Sequence, residues 1–136
     1  AVAANSYPVV PHAFEGEEKG WFENLISGPS RFRSRVHEDI ERMLRAAVNG
    51  GTGRAARLPQ ANFGKTGTSQ DNRDALFVGY ANGLVVGVWI GNDDNSPLRG
   101  ISGGGLPARI WRDFMMQASG QQAAPPRREA DPRGPV

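Results

Sequence analysis

The chain has 136 residues, no cysteine, and a formal net charge of +2 from 16 basic and 14 acidic side chains. That length suits one compact domain, and so small a charge excess is no polyanion-binding signature, so nucleic acid is not an expected partner. Without Cys there are no disulfides, Cys-ligated zinc sites or thiol chemistry, and no apolar run reaches the ~18 residues of a membrane span.

The chain opens without an initiator Met, a basic n-region or a signal-like apolar core. Ala1-Val2-Ala3-Ala4-Asn5 reads as the last turn of a helix, so the chain is expected to be the C-terminal piece of a longer protein. Tyr7-Pro8-Val9-Val10-Pro11 is extended by its prolines. Glu15 to Gly20 is a polar turn, Trp21 to Ile26 a short apolar patch, and Ser27-Gly28-Pro29-Ser30 a break. Residues 35–48 carry the clearest helical pattern: Val36, Ile40, Met43, Leu44, Ala47 and Val48 recur on one face. Ser34 is its expected N-cap, Glu38 and Asp39 suit its first turns, and Asn49-Gly50-Gly51 ends it.

Three strands are expected next: Ala61 to Thr68, Asp74 to Ala81, and Leu84 to Gly91. Asn82-Gly83 between the last two is the strongest short hairpin signal. The third strand is apolar nearly throughout, which predicts burial on both faces, hence an interior strand or one covered by helices. After a Gly/Asn/Asp-rich loop, a second helix is expected from Pro107 to Gln117, with Ile110, Trp111, Phe114 and Met115 as its apolar stripe and Trp111/Phe114 in the core. Residues 120–136 have almost no large apolar side chain and read as a disordered Pro-rich tail.

The chemistry concentrates in Phe63-Gly64-Lys65-Thr66-Gly67-Thr68-Ser69. A phosphate-binding P-loop needs Gly five places before Gly64 and a helix after the motif; Pro59 stands at the first position and Gly67 to Asn72 starts a helix poorly. The other chemistry with this core is the Lys-Thr-Gly element of penicillin-recognising serine enzymes, which lies on a strand. Alternation along a strand puts Thr66 and Thr68 on one face, their hydroxyls ~7 Å apart, and Lys65 and Gly67 on the other. Hydroxyls with a nearby ammonium can hold a carboxylate. Gly67, having no side chain, lets an extended peptide lie against the strand, and the Thr68 N–H can point at a developing oxyanion.

The flanks extend the match. Gly51-Thr52-Gly53-Arg54-Ala55-Ala56, the run from Phe63 to Tyr80, Val88-Trp89-Ile90-Gly91-Asn92-Asp93-Asp94 and Gly103-Gly104-Gly105-Leu106-Pro107-Ala108-Arg109-Ile110-Trp111 follow one another at family-like spacings. Over residues 1–12 and 35–118 the chain resembles the C-terminal part of the transpeptidase domain of class A (bifunctional) penicillin-binding proteins. The resemblance implies an α/β chain of the α+β type, an antiparallel sheet flanked by helices, with residues 1–119 as part of the transpeptidase domain. It implies a serine-type D,D-transpeptidase that cross-links peptidoglycan without a cofactor, acting on stem peptides ending in D-Ala-D-Ala and acylated by β-lactams. Lys65, Thr66, Gly67 and Thr68 would bind the substrate, and the Thr68 backbone would supply an oxyanion donor. The parent would sit at the extracytoplasmic, periplasmic face of the cytoplasmic membrane, and its N-terminal part would complete the sheet.

The departures are equally specific. The family needs a Ser-x-x-Lys nucleophile and base and a Ser-x-Asn element. The chain has two lysines, Lys19 and Lys65, preceded three places earlier by Gly16 and Asn62. No serine has Asn two places on, so the nucleophile is absent and the chain alone is expected to be inactive. The alternative is a non-catalytic peptide-binding module. A carboxypeptidase or β-lactamase is disfavoured by the Trp89 and Gly103 flanks. A half-domain alone is expected to be marginally stable, oligomeric or partly molten.

Other features have plainer readings. Ser69 reads as a turn hydroxyl. His12 and His37 have no zinc-like partners, and Asn92 to Asn95 lacks the calcium-loop pattern. Gly103-Gly104-Gly105 reads as a flexible loop bordering the cleft, with an anion cradle as the rival. Arg31, Arg33 and Arg35 are balanced by Glu38, Asp39 and Glu41. Arg73 and Asp74 read as an ion pair or a turn.

Overall fold

The computed structural model describes residues 1–7 and 30–120. In chain order these form helix α1 (Ser34–Asn49), a 3-10 turn (Arg54–Ala56), strand β1 (Phe63–Thr68), a second 3-10 turn (Gln70–Asn72), strands β2 (Asp74–Ala81) and β3 (Leu84–Gly91), and helix α2 (Leu106–Ala118). The strands make an antiparallel sheet in the order β1-β2-β3. This is the α+β architecture the sequence implies. The features read between residues 8 and 29 lie outside the described residues, as does the tail beyond Gly120. Gly120 itself still belongs to the helix end, its N–H bonding the Gln117 carbonyl at 3.0 Å.

Residues 1–6 have the geometry of a helix C-terminus. Asn5 is left-handed (φ 46°), its N–H bonds Val2 O at 3.0 Å, and Ser6 N–H bonds Ala1 O at 3.2 Å. These are the paired bonds of a Schellman cap. Asn82 and Gly83 both have positive φ (51° and 77°), as the tight hairpin turn between right-twisted strands requires.

Helix α1 departs from its sequence pattern in two ways. Ser34 does not cap it: His37 N–H reaches Arg33 O at 3.0 Å, which makes Arg33 the cap residue, without a side-chain bond. Glu38 and Asp39 consequently fall beyond the first turn, and Asp39 pairs with Arg42 at 3.2 Å. The inward face is also rotated. Val36 and Met43 are exposed, while His37 and Glu41 are drawn in. The cause is polar: His37 Nε2 donates to Val2 O at 2.8 Å, and the Tyr80 hydroxyl donates to Glu41 at 2.9 Å. The helix ends by close approach rather than by a left-handed glycine. A Cβ on Gly51 would lie 2.9 Å from Ala47 Cα and O.

The register assigns the two sheet faces. Gly64, Thr66 and Thr68 share a face with Ala75, Phe77 and Gly79, and with Val86, Val88 and Ile90. On this face lies the core of Val48, Ala56, Leu58, Phe77, Ala108, Trp111 and Met115. Trp111, fully buried, meets Phe77 edge-on at 5.2 Å, and its indole N–H donates to Val86 O at 3.1 Å. Phe114 is half-exposed, a correction to the expected core pair. The buried α2 face runs through Pro107, Ala108, Trp111 and Met115, which turns Ile110 and Phe114 onto the flank.

Strand β3 also corrects its expectation. Among the described strands it lies at the edge of the sheet, with Val86 and Val88 packed on the core but Val85 and Trp89 58% and 59% exposed, so its two faces are not both buried. The core lies on one sheet face; on the other, Glu41 of α1 and the Ala3–Ala4 segment reach the Phe63/Tyr80 end, while Trp89 and Val78 stay largely exposed. There Phe63 stacks on Tyr80 at 4.9 Å, and Trp89 Nε1 donates to Asp74 at 3.0 Å.

A buried polar side chain ties the approach to β1. Asn62, 3% exposed, accepts from Leu58 N–H at 3.2 Å and donates to Ala56 O at 3.0 Å. Asn62→Ala leaves both backbone groups unpaired, and a loss of about 1–3 kcal/mol is expected. Urea denaturation checks this as a lower midpoint at unchanged slope.

Candidate functional site: the edge of strand β1

Lys65, Thr66, Gly67 and Thr68 all lie on β1, which is at the edge of the sheet among the described strands. No phosphate-type helix follows; only the Gln70–Asn72 turn does, with Asp71 left-handed (φ 60°). The P-loop alternative therefore fails on structure as well as on Pro59.

Hydrogen-bond phase decides which backbone groups are free. Ser69 N–H donates to Asp74 O at 3.0 Å, so residue 69 points its polar groups at β2. Alternation then turns those of Lys65 and Gly67 toward β2 and those of Thr66 and Thr68 toward the outer edge. No described strand pairs with that edge. The Thr68 N–H is thus on the open rim.

The side chains divide as alternation requires. Lys65 is exposed on the open face, and its ammonium curls over the edge to the Thr66 carbonyl (3.1 Å) and hydroxyl (3.5 Å). Among the described residues it forms no ion pair. Gly67 faces the same side, where an added Cβ would make ordinary contact with Leu76 at 3.4 Å. Packing within the described chain does not demand glycine there. Gly64 is different: a Cβ would collide with the Phe77 ring at 2.5 Å, so this glycine seats the core beneath the strand.

Thr66 and Thr68 face the glycine-rich segments. Thr66 Oγ1 lies 2.8 Å from Thr52 Oγ1, and Thr68 Oγ1 accepts from Gly103 N–H at 3.2 Å. Glycine makes both contacts sterically possible. Gly53 is crowded by Ala47 and the Phe77 ring, both 3.2 Å from a Cβ. A Cβ on Gly103 would overlap the Gly67 and Leu76 carbonyls, and one on Gly104 the Thr52 carbonyl. The segment read as a flexible cleft border is therefore packed onto β1, with Gly103 buried. Thr52 is the site neighbour the sequence left without a role, and Gly103 was read only as part of a loop bordering the cleft. Their flanking glycines were the available signal.

The remaining candidates are structural. Ser69 Oγ accepts from Asp74 N–H at 2.7 Å, the turn hydroxyl expected. Arg73 and Asp74 do not pair with each other; Arg73 reaches the Asn95 carbonyl and Asp71, and Asp74 serves Trp89. Asn92 and Asp94 bind Ser96, which holds the Asp94 carboxyl below its usual range. Burial, then the bond to Glu41, pushes the Tyr80 phenol well above its ordinary value. His12 lies outside the described residues, and among those described no cluster of metal-ligating side chains occurs. A hollow of about 330 Å³ lined by Ala3, Ala4, Phe63, Tyr80 and Asn82 lies at the other end of β1, away from Lys65. The outer edge of β1 has the form a strand edge offers to an extended peptide.

A cation-bearing, glycine-relieved edge strand seated on an α+β core is the frame into which comparison with known proteins fits. No protein-family model matches the chain. It is 45% identical over 75 residues to penicillin-binding protein 1A of Aquifex aeolicus, covering 54% of the chain and 10% of that protein. Penicillin-binding protein 1B of Vibrio cholerae is 37% identical over 75 residues (53% and 10%), and penicillin-binding protein 1A of Neisseria cinerea 33% over 107 residues (74% and 13%). Over the matched segment the chain belongs to the class A penicillin-binding protein family. It spans about a tenth of the length of these relatives.

Proposed function

We propose that this chain is the part of a peptidoglycan D,D-transpeptidase that carries its carboxylate-binding strand. Residues 1–119 would form the C-terminal part of the transpeptidase domain. The stem peptide lies along the open edge of β1. Its terminal carboxylate is held by the Lys65 ammonium and the Thr66 and Thr68 hydroxyls, its backbone passes over Gly67, and the outward Thr68 N–H donates to the oxyanion. The observation that carries the reading is the hydrogen-bond phase of β1, which turns the Thr66 and Thr68 backbone groups away from β2, where no described strand takes them up, beside a Lys65 ammonium that rests on the Thr66 carbonyl and has no ionic partner among the described residues.

The serine that would be acylated, by a D-Ala-D-Ala peptide or by a β-lactam, belongs to a Ser-x-x-Lys element that these 136 residues do not contain. The chain by itself therefore binds but does not react. The parent works where peptidoglycan is, outside the cytoplasmic membrane; among the described residues no helix is long and apolar enough to cross one. The absence of Ser-x-x-Lys also suits a second reading, a peptide-binding module without chemistry. In-frame upstream codons encoding Ser-x-x-Lys and Ser-x-Asn support the first, and a start codon directly before Ala1 the second.

Two measurements test the binding role. Intact mass after incubation with benzylpenicillin is expected to show no adduct; a penicilloyl adduct would mean that this chain holds its own nucleophile. NMR titration with N-acetyl-D-alanyl-D-alanine is expected to shift β1 amides. Lys65→Met is expected to weaken that binding about tenfold, the equivalent of one charge-assisted contact. An unchanged affinity removes Lys65 from the carboxylate site.

A further inference from the structure

We infer that Thr52 is a positioning residue that sets Thr66 to donate its hydroxyl proton to an anion, making the β1 edge select carboxylate over amide. The inference rests on the carboxylate-binding reading above and adds what determines its selectivity.

A threonine hydroxyl has one proton and two lone pairs. The Lys65 ammonium, 3.5 Å from Thr66 Oγ1, can only donate, so it turns an oxygen lone pair toward itself. The 2.8 Å contact to Thr52 Oγ1 can run in either direction. With no anion present, Thr66 can spend its proton on Thr52. An acceptor-only group at the edge takes that proton instead, and Thr52 then donates to Thr66. The chain of donors becomes Thr52 to Thr66 to anion, and each hydroxyl is polarised by the one behind it. A terminal amide presents N–H groups as well as an oxygen, and it carries no charge to fix the relay. Thr68 is set in the same sense by a group that cannot reverse: the Gly103 N–H donates to its oxygen at 3.2 Å, leaving its proton for the ligand.

The placement of Thr52 is built into the chain. Its two glycine neighbours let the backbone press against Ala47, and Gly104 closes over its carbonyl. This accounts for glycines on both sides of Thr52 and for a second run opposite it. Thr52 itself is exposed, so an isosteric change there leaves the core untouched.

The test is NMR titration of the full chain with N-acetyl-D-alanyl-D-alanine and with its C-terminal amide. The wild type is expected to prefer the acid. Thr52→Val, which keeps the shape and removes the hydroxyl, is expected to weaken acid binding about five- to tenfold while leaving amide binding unchanged. Thr52→Ser restores the preference, and Thr52→Ala repeats the valine result. If the wild type prefers the acid and Thr52→Val keeps that preference, this inference is overturned and the carboxylate reading stands. If the wild type does not distinguish acid from amide, the carboxylate reading fails and takes this inference with it.

Discussion

Trp111→Ala is expected to cost the chain roughly 3–5 kcal/mol, the range for truncating a large buried aromatic side chain. The indole is fully buried, packs edge-on against Phe77, and donates to the Val86 carbonyl. Removal opens a cavity between α2 and the sheet and orphans that carbonyl. The loss compares with the whole stability of an ordinary domain, about 5–15 kcal/mol. Denaturant titration followed by circular dichroism is expected to show a much lower midpoint, or no folded baseline at 25 °C. Trp111→Phe is expected to fall between the two, since it keeps ring contact but not the N–H. Because Phe77 lies opposite Thr66 on β1 and beneath Gly64, the damage should reach the candidate site as lost order in β1. A wild-type midpoint for Trp111→Ala would contradict the core described above.

Gly103→Ala is expected to be the most damaging single-methyl change at the site. The added Cβ would overlap the backbone carbonyls of Gly67 and Leu76. Neither can yield as a flexible side chain could, so the loop must lift from β1 at a cost of about 1–3 kcal/mol. Lifting also removes the Gly103 N–H from Thr68 Oγ1. Faster hydrogen exchange at Gly67 and weaker binding of N-acetyl-D-alanyl-D-alanine are expected together. Gly50→Ala is the control: a Cβ there meets nothing within 4 Å, and no more than about 0.5 kcal/mol of change is expected. Equal effects at the two positions would mean that the loop does not press on the strand.

Residues differ sharply in how much of their role can be read from their neighbours in sequence. Asn82-Gly83 announced its hairpin because two adjacent positive φ angles favour that pair. The Lys65 to Thr68 strand announced its two faces because side chains on any strand alternate. Trp111 and Met115 could be placed by helical spacing, yet the same kind of reading put Phe114 in the core and Met43 on the apolar face of α1, and both are exposed. Periodicity gives the angle between residues on a helix but not the direction in which the helix is turned. For α1 that direction follows from two polar contacts, His37 to Val2 and Tyr80 to Glu41, which join residues 35 and 39 positions apart.

The site divides along the same line. Local order in the chain was enough to single out the cation, the two hydroxyls and the glycine between them as candidates, and to place them on a strand and in a family resemblance. Which backbone groups of that strand stand free, what Thr52 and Gly103 do for the hydroxyls, and why β3 is half bare were decided only when the chain folded. Those properties depend on hydrogen-bond phase, on glycines admitting one backbone against another, and on a core built on a single face, and each joins residues far apart in sequence.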